Sequence, residues 1–364
     1  MGVKFLQGSD FSIGYNFHIL PKKLRDRLRK NQLKVFNDFV DRCEKEDYEA
    51  LLIPGNLFYS REAGKELGKE VLETFRKLLF KSKSILLTTG NQDWFNGKDD
   101  DFWMTSSIPL SFSFYKSNYF SQLVLQKSNI TIGGIAFDNL NRRRRVLKEE
   151  LDGSLVIKTN LSILIFCGTL VEDHEKQGDN QPFLASEVDS SPFTYVAIGG
   201  SIGLKKCGSK GYYSGSPQAI SFDKEDLGER YFLEVELMSD RTFNVKPIKS
   251  EKAIIFESKK EDISRWGKDQ VMKYLEEESE EKIVRKEISG EVSEDVFNAL
   301  FEKEMESEND GTLVYFDSLF PHSPNLPDDK KRFVEACKLK FSEAKSEEEK
   351  KTIRGAIYWG LKVL

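Results

Sequence analysis

Histidine is the residue this chain has least to spare. Only His18, His174 and His322 occur in 364 residues. Imidazole is the commonest nitrogen ligand for catalytic divalent metals and the usual proton carrier near neutral pH. Three scattered copies therefore speak against a histidine-rich metal centre. Cysteine is also sparse. Cys43, Cys167, Cys207 and Cys337 form no CxxC pair, which excludes a zinc ribbon or a thioredoxin-type site and points to reduced, largely buried thiols. No apolar run approaches the length of a membrane span. The opening Met1-Gly-Val-Lys-Phe-Leu6 has too little apolar content for a signal peptide and leads straight into a strand-like run. The expectation is a cytoplasmic protein with no membrane role. Excess positive charge is missing as well. With a net charge of −5 and a pI near 5.6, no global basic field exists for nucleic acid, so any such binding must use local patches.

What is present reads as globular: 39% of residues are hydrophobic and 32% charged, enough for one large domain and a smaller one. Val3-Lys-Phe-Leu6, Ala50-Leu-Leu-Ile53 and Ile85-Leu-Leu87 are short apolar runs of β character, each ending in a polar, Gly-rich turn. Between them lie two helical patterns. One runs from Pro21 to about Lys45, its stripe carried by Leu24, Leu28, Val35, Phe36, Phe39 and Val40, with its Lys and Arg residues facing solvent. The other spans Glu66 to Lys81 with Leu67, Val71, Leu72, Phe75, Leu78 and Leu79 inward. A β-α-β-α-β order implies crossovers and a mainly parallel sheet. Residues 94–128 show no clear period. Further strands are expected at Ile130–Phe137, with Gly133 and Gly134 marking a bulge, and at Leu161–Phe166, Phe193–Ile198 and Tyr231–Leu237. Strands without intervening helices predict a second, mixed sheet packed on the first.

The character changes near residue 245. Ile254–Phe256 and Ile283–Ile288 read as strands, and Trp266–Leu275 and Glu294–Met305 as helices, which fits a small α+β domain. Asp328 can cap a helix to about Ala344. Ser346-Glu-Glu-Glu349 is a capping box for a last helix whose apolar face is Ile353, Ile357, Leu361 and Leu364. That face either completes a core or docks on a partner. The expected division is 1–245, 246–325 and 326–364.

The ends of the core strands carry a pattern: Gly8-Ser-Asp-Phe-Ser12, Gly55-Asn-Leu-Phe-Tyr59, Gly90-Asn-Gln-Asp93, Phe166-Cys-Gly168 and Gly199-Gly-Ser-Ile202. In order and spacing over roughly residues 1–245 the chain resembles the calcineurin-like metallophosphoesterases, and within them the SbcD-type DNA repair nucleases. Tyr195-Val-Ala-Ile-Gly199, Tyr213-Ser-Gly-Ser-Pro217 and Phe222 match that branch, and Val284-Arg285 with Ser289-Gly290 resembles its capping domain more loosely. The resemblance implies a four-layer α/β/β/α sandwich with a smaller C-terminal α+β capping domain. It also implies two Mn²⁺ ions that clamp a phosphate and activate a water, a homodimer built on the phosphoesterase domain, and an SbcC-type, SMC-like ATPase as partner.

The ligands that the resemblance calls for are mostly replaced. Asp10 keeps a carboxylate and Asn91 an amide. Ser12 stands where the family has a histidine, Asn56 replaces the bridging aspartate, and Gln92 replaces the histidine near the leaving group. Cys167, Gly200 and Ile202 stand at three further histidine positions. Glutamine can hydrogen-bond a phosphate but cannot transfer a proton near neutral pH. Gly200 and Ile202 have no side-chain donor at all. No two-metal centre is expected; if any metal binds, Asp10, Asn56 and Asn91 are the candidate ligands, with His18 or His174 recruited from a few residues further on. Two simpler readings stay open. Asp93 can be a turn residue capping the next element, and Cys167 a small buried hydrophobe.

Arg142-Arg-Arg-Arg145 is either a solvated loop paired with Glu149 and Glu150 or a DNA-backbone contact. Three functions follow. The first is an SbcD-like subunit that has lost two-metal catalysis and binds DNA ends, an SbcC-type ATPase, or both. The second is an active Mn²⁺-dependent exonuclease or phosphodiesterase with an unusual or mononuclear site. The third is a protein-interaction scaffold with no nucleic-acid role.

Overall fold

The computed structural model describes residues 2–18, 20–95, 97, 102–105, 112–117, 119–140, 142–151, 155–172, 178–276, 279–310, 313–321 and 326–363. The chain divides into two compact units: Met1–Phe17 with Arg27–Ile255, and His18–Asp26 with Phe256–Leu364.

The first unit is built on two six-stranded mixed sheets. The first contains β1 (Val3–Gln7), β2 (Ala50–Pro54), β3 (Ser84–Thr88), β4 (Phe112–Tyr115), β13 (Tyr231–Leu237) and β14 (Phe243–Lys249), in the order β14-β13-β1-β2-β3-β4. β1 to β4 run parallel, and β13 is antiparallel to both its neighbours. The second contains β5 (Ser121–Leu125), β6 (Ile130–Ile135), β7 (Leu161–Cys167), β10 (Tyr195–Gly199), β11 (Lys205–Cys207) and β12 (Gly211–Tyr213), in the order β11-β12-β10-β7-β6-β5. β8 (Thr169–Leu170) and β9 (Pro182–Phe183) make a small parallel ladder beside it.

Helices α1 (Lys22–Lys45), α2 (Arg61–Leu79) and α3 (Phe102–Thr105) precede the second sheet, and α4 (Val146–Glu150) and α5 (Ala185–Ser190) accompany it. Three core layers show how the parts stack. Leu51, Ile53, Ile85 and Leu87 pack with Phe36, Phe39 and Phe75 of the helices. Leu52 and Leu86 turn the other way and meet Ile132, Ile163 and Ile165 between the sheets. Leu164, Phe166, Val196 and Ile198 pack with Val146, Leu147 and Val188 on the far side. This is the α/β/β/α sandwich that the family resemblance implies, with the second, mixed sheet that the strand pattern predicts. Strands covered on both faces read as unbroken apolar runs, which is why β2, β3 and β7 stood out.

Some local expectations are corrected. The ladder on both sides of β6 is regular, so Gly133 and Gly134 do not form a bulge. They are glycine because side chains fill the space: a Cβ on Gly133 would lie 2.5 Å from the Phe120 ring, and one on Gly134 2.2 Å from Tyr115. Helix α2 starts at Arg61, five residues earlier than its apolar stripe suggests, because Ser60 caps it by accepting from the Ala63 amide at 3.1 Å. The short α4 and α5 interrupt the run of strands expected to be free of helices.

The second unit has a three-stranded sheet of β15 (Ile255–Asp262), β16 (Lys282–Val292) and β17 (Leu313–Pro321), with β16 and β17 parallel. Around it are α6 (Lys268–Glu276), α7 (Glu294–Asp310), α8 (Asp328–Glu343) and α9 (Glu347–Val363). β17 was not foreseen. The residue preceding α8 is Pro327, so Asp328 is its first helical residue rather than its cap. The capping box before α9 is formed: the Ser346 amide donates to Glu349 Oε2 at 3.2 Å, and the Glu349 amide donates to Ser346 Oγ at 3.2 Å. Ile357 and Leu361 are buried in the same core as Val296, Phe316 and Val334, and Ile353 packs against it. That face of α9 is core and is not available to a partner; Leu364 lies outside the described residues. Among the described residues no helix is long and apolar enough to cross a membrane.

Candidate functional site

The loops that leave β1, β2, β3 and β10 converge. The β1 and β2 loops run side by side: the Asp10 amide donates to the Gly55 carbonyl at 3.2 Å, Ser12 to Asn56 at 3.1 Å and Ile13 to Leu57 at 2.9 Å. Asp10, Ser12 and Asn56 all hold left-handed backbone, with φ of 53°, 47° and 54°. Such conformations disfavour L-residues and persist where the surroundings over-determine them. Part of that hold comes from α1, where Gln32 Nε2 donates to the Ser12 carbonyl at 2.7 Å.

At the centre lies Asn56. Its Nδ2 donates to Asp10 Oδ1 at 2.8 Å and to Asn91 Oδ1 at 3.0 Å, while its Oδ1 accepts from the Gln92 amide at 3.1 Å. The backbone N–H of Gln92 can only donate, so the atom facing it is oxygen, and the atom facing the other two groups is nitrogen. Asp10 also accepts from the Gly200 amide, at 3.2 Å on Oδ1 and 3.0 Å on Oδ2. Ser12 Oγ donates to Gln92 Oε1 at 2.9 Å. Gly90 is required beside this ring, since a Cβ there would lie 2.0 Å from Asn56 Oδ1.

Burial raises the pKa of Asp10, and the hydrogen bonds from Asn56, Ser9 and Gly200 pull it back. Cys167 at the end of β7 faces the same place: a Cβ on Gly200 would lie 3.2 Å from its Sγ. Burial lifts that thiol well above its ordinary range, and Asp10 and Asp93 lift it further. A thiol so placed packs as a small, weakly polar side chain.

Asp93 ties two loops together rather than capping a following helix. Its Oδ1 accepts from the Gly90 amide at 2.8 Å and its Oδ2 from the Phe58 amide at 3.2 Å. Burial pushes its pKa up to about 6.

Six of the eight positions singled out in the sequence thus share one hydrogen-bonded network: Asp10, Ser12, Asn56, Asn91, Gln92 and Gly200. Cys167 abuts it. Ile202 contributes through its backbone next door, where its carbonyl accepts from Arg230 and, at 3.0 Å, from the Ser216 amide. Arg230 was missed in the sequence. Its side chain also donates to the Ser216 carbonyl at 2.8 Å and the Glu225 carbonyl at 3.0 Å, bracing the loop that follows β10. Asp226, four residues earlier, pairs with it at 3.3 Å, but the carbonyls of Ile202 and Ser216 lie 28 and 14 residues away, so no local pattern announces the role. Of the histidines, His18 is exposed and counts with the second unit, while His174 and His322 lie outside the described residues.

These residues do not fit a pair of divalent cations. A bridging ligand must turn oxygen lone pairs toward both ions. Here the side chain at the bridging position turns an NH₂ group toward Asp10 and Asn91. Its two hydrogens sit where a cation would need to approach those oxygens.

The arginine run is largely neutralised by its own neighbours. Arg143 pairs with Asp179 at 2.6 Å, Arg145 with Glu187 at 2.6 Å, and Arg144 with both Glu149 and Glu150. Arg144 also lies over the Tyr119 ring, 5.1 Å from its centroid. Leu140, Arg142, Arg143 and Arg144 line an open concavity of about 580 Å³.

No family model matches the chain. No curated protein matches it either. Among solved structures, the chain is similar to a dimetal phosphatase from Danio rerio, at 10% identity and a TM-score of 0.42, over 68% of this chain and 96% of that one. It is also similar to a single-site mutant of Vps29 from Entamoeba histolytica, at 14% identity and a TM-score of 0.29, over 68% of this chain and 99% of that one.

Proposed function

We propose that this chain is a metallophosphoesterase-type subunit of the SbcD branch that has given up two-metal catalysis and works by binding. Its partners in this reading are DNA ends, an SMC-like ATPase of the SbcC type, or both, and its working form is a homodimer. The observation that supports it most is the orientation of Asn56. An amide NH₂ group takes the place between Asp10 and Asn91 that a bridging carboxylate with its cations would hold. The rest of the constellation agrees: Ser12, Gln92, Cys167, Gly200 and Ile202 supply no imidazole. The SbcD assignment rests on the segments Tyr195–Gly199, which forms β10, and Tyr213–Pro217, whose Ser214 hydroxyl meets Ser9 Oγ at 2.9 Å beside the site.

The experiment is a cleavage assay with the full chain and Mn²⁺ on linear duplex and single-stranded DNA, compared with Asp10→Ala. The expected result is background turnover for both proteins. Cleavage abolished by Asp10→Ala would overturn the reading in favour of a rebuilt centre.

A further inference from the structure

Helix α1 carries its charges unevenly. Between Lys22 and Lys34 the sequence has seven Lys and Arg residues and one acid, Asp26, in a protein whose net charge is −5. The C-terminal half of the helix is balanced: Asp38 pairs with Arg42 at 3.0 Å, and Asp41 pairs with Lys45 at 3.9 Å and with Lys77 of α2 at 2.8 Å. The N-terminal half differs. Arg29, Lys30 and Lys34 are exposed, and among the described residues none of them has an ion-pair partner. Arg27, Lys30 and Lys34 fall at i, i+3 and i+7 and so form one row along the helix, with Arg29 beside it. All four belong to the first unit.

Two local rules are broken here. Like charges three and four residues apart destabilise a helix. Cations near a helix N-terminus also oppose its dipole, and the first turn of α1 has no acidic residue to offset them. The opposite face of α1 is buried through Leu28, Val35 and Phe36, so the helix has no apolar face left to enter a lipid layer. The row between the cations has no exposed aromatic or large apolar side chain, so nothing on it points to a hydrophobic protein interface. Rows of this kind recur about every 5 Å along the axis, which suits a polymer of regularly spaced phosphates.

We infer that Arg29, Lys30 and Lys34 form a contact surface for the phosphodiester backbone of nucleic acid. This surface lies on the outer helical layer, apart from the arginine run at 142–145, and it rests on the binding role proposed above. It contacts backbone alone and carries no base specificity.

The test is fluorescence anisotropy of the full chain with a labelled linear duplex over a range of salt from about 50 mM. It is repeated with Arg29→Gln/Lys30→Gln/Lys34→Gln, with the charge-retaining Arg29→Lys/Lys30→Arg/Lys34→Arg, and with Arg142→Gln/Arg143→Gln. Losing three phosphate contacts should flatten the slope of log K against log [salt] by about 2.7. The charge-retaining variant and the 142/143 variant should keep the wild-type slope. An unchanged slope in the triple Gln variant, with wild-type binding intact, would overturn this surface and leave the binding role standing. No duplex binding by the wild type at low salt would overturn the surface together with the DNA limb of the proposed function; the loss of two-metal chemistry is judged separately by metal titration. Retention on phosphatidylserine vesicles through the same residues, without DNA binding, would overturn it in favour of a membrane surface.

Discussion

Asn56 Nδ2 lies 2.8 Å from Asp10 Oδ1, and the hydrogen bond it donates there offsets part of the cost of burying the carboxylate. Asp10 needs such a donor because burial works against its ionised form. Asn56→Asp would set two carboxylates against each other. One of them would take up a proton in the folded state and not in the unfolded chain, so stability would fall as pH rises above the ordinary carboxylate range. The variant is expected to be less stable than wild type by about 1–3 kcal/mol at pH 8 and nearly equal to it at pH 4. Urea unfolding at the two pH values reads this directly, and a pH-independent difference would contradict it.

Asp93 makes its own pH signature. Its folded pKa of about 6 lies above the unfolded value, so the folded state holds the extra proton between about pH 4 and 6. Its contribution is fully present below the unfolded pKa and is lost as pH rises through 6, a difference of up to ~3 kcal/mol. Asp93→Asn lacks this term. Relative to wild type, the variant should gain stability between pH 4 and 7. Parallel stability–pH curves for the two proteins would show that this aspartate does not titrate in that window.

Gly199 closes the approach of the two sheets. A Cβ there would lie 1.9 Å from the Pro54 carbonyl, which belongs to backbone and cannot swing away. Gly199→Ala is expected to cost about 1–3 kcal/mol by thermal or urea unfolding. Gly228→Ala is the informative contrast: its φ of 82° still opposes a side chain, but no atom lies within 4 Å of the added carbon.

Arg144 is a structural residue in this account. It holds Glu149 and Glu150, and Glu150 in turn accepts from the Phe120 amide at 3.1 Å. Arg144→Ala should destabilise by about 1–2 kcal/mol, whereas Arg142→Ala at the exposed start of the run should stay within about 0.5 kcal/mol of wild type. Equal effects would mean that the ion pairs around Arg144 contribute nothing to the fold.

The sandwich was legible because strands buried on both faces advertise themselves: Ala50–Ile53, Ile85–Leu87 and Leu161–Phe166 are apolar without alternation. The convergence of Asp10, Asn56 and Asn91 was legible too, since parallel strands place their C-terminal loops on one edge. What the sequence could not show depends on partners far along the chain. The direction in which the Asn56 amide points is decided by the backbone of Gln92, 36 residues away. Gly134 reads in the sequence as a bulge, whereas the Tyr115 ring occupies its side-chain space in a regular ladder. The two basic stretches invert their apparent importance for the same reason. Arg142–Arg145 is the denser run, yet Asp179 and Glu187 neutralise part of it from other segments, while Arg29, Lys30 and Lys34 of α1 have no ion-pair partner among the described residues.

The most direct measurement is calorimetric titration of the full chain with Mn²⁺, alongside Asp10→Ala. If the Asn56 amide holds the bridging position, neither protein gives a saturable heat of binding in the micromolar range, and the melting temperature of the wild type does not move with added Mn²⁺. Stoichiometric binding by the wild type that disappears in Asp10→Ala would contradict the account: Asn56 would then have to turn its oxygen toward Asp10, and the centre would be a working metal site.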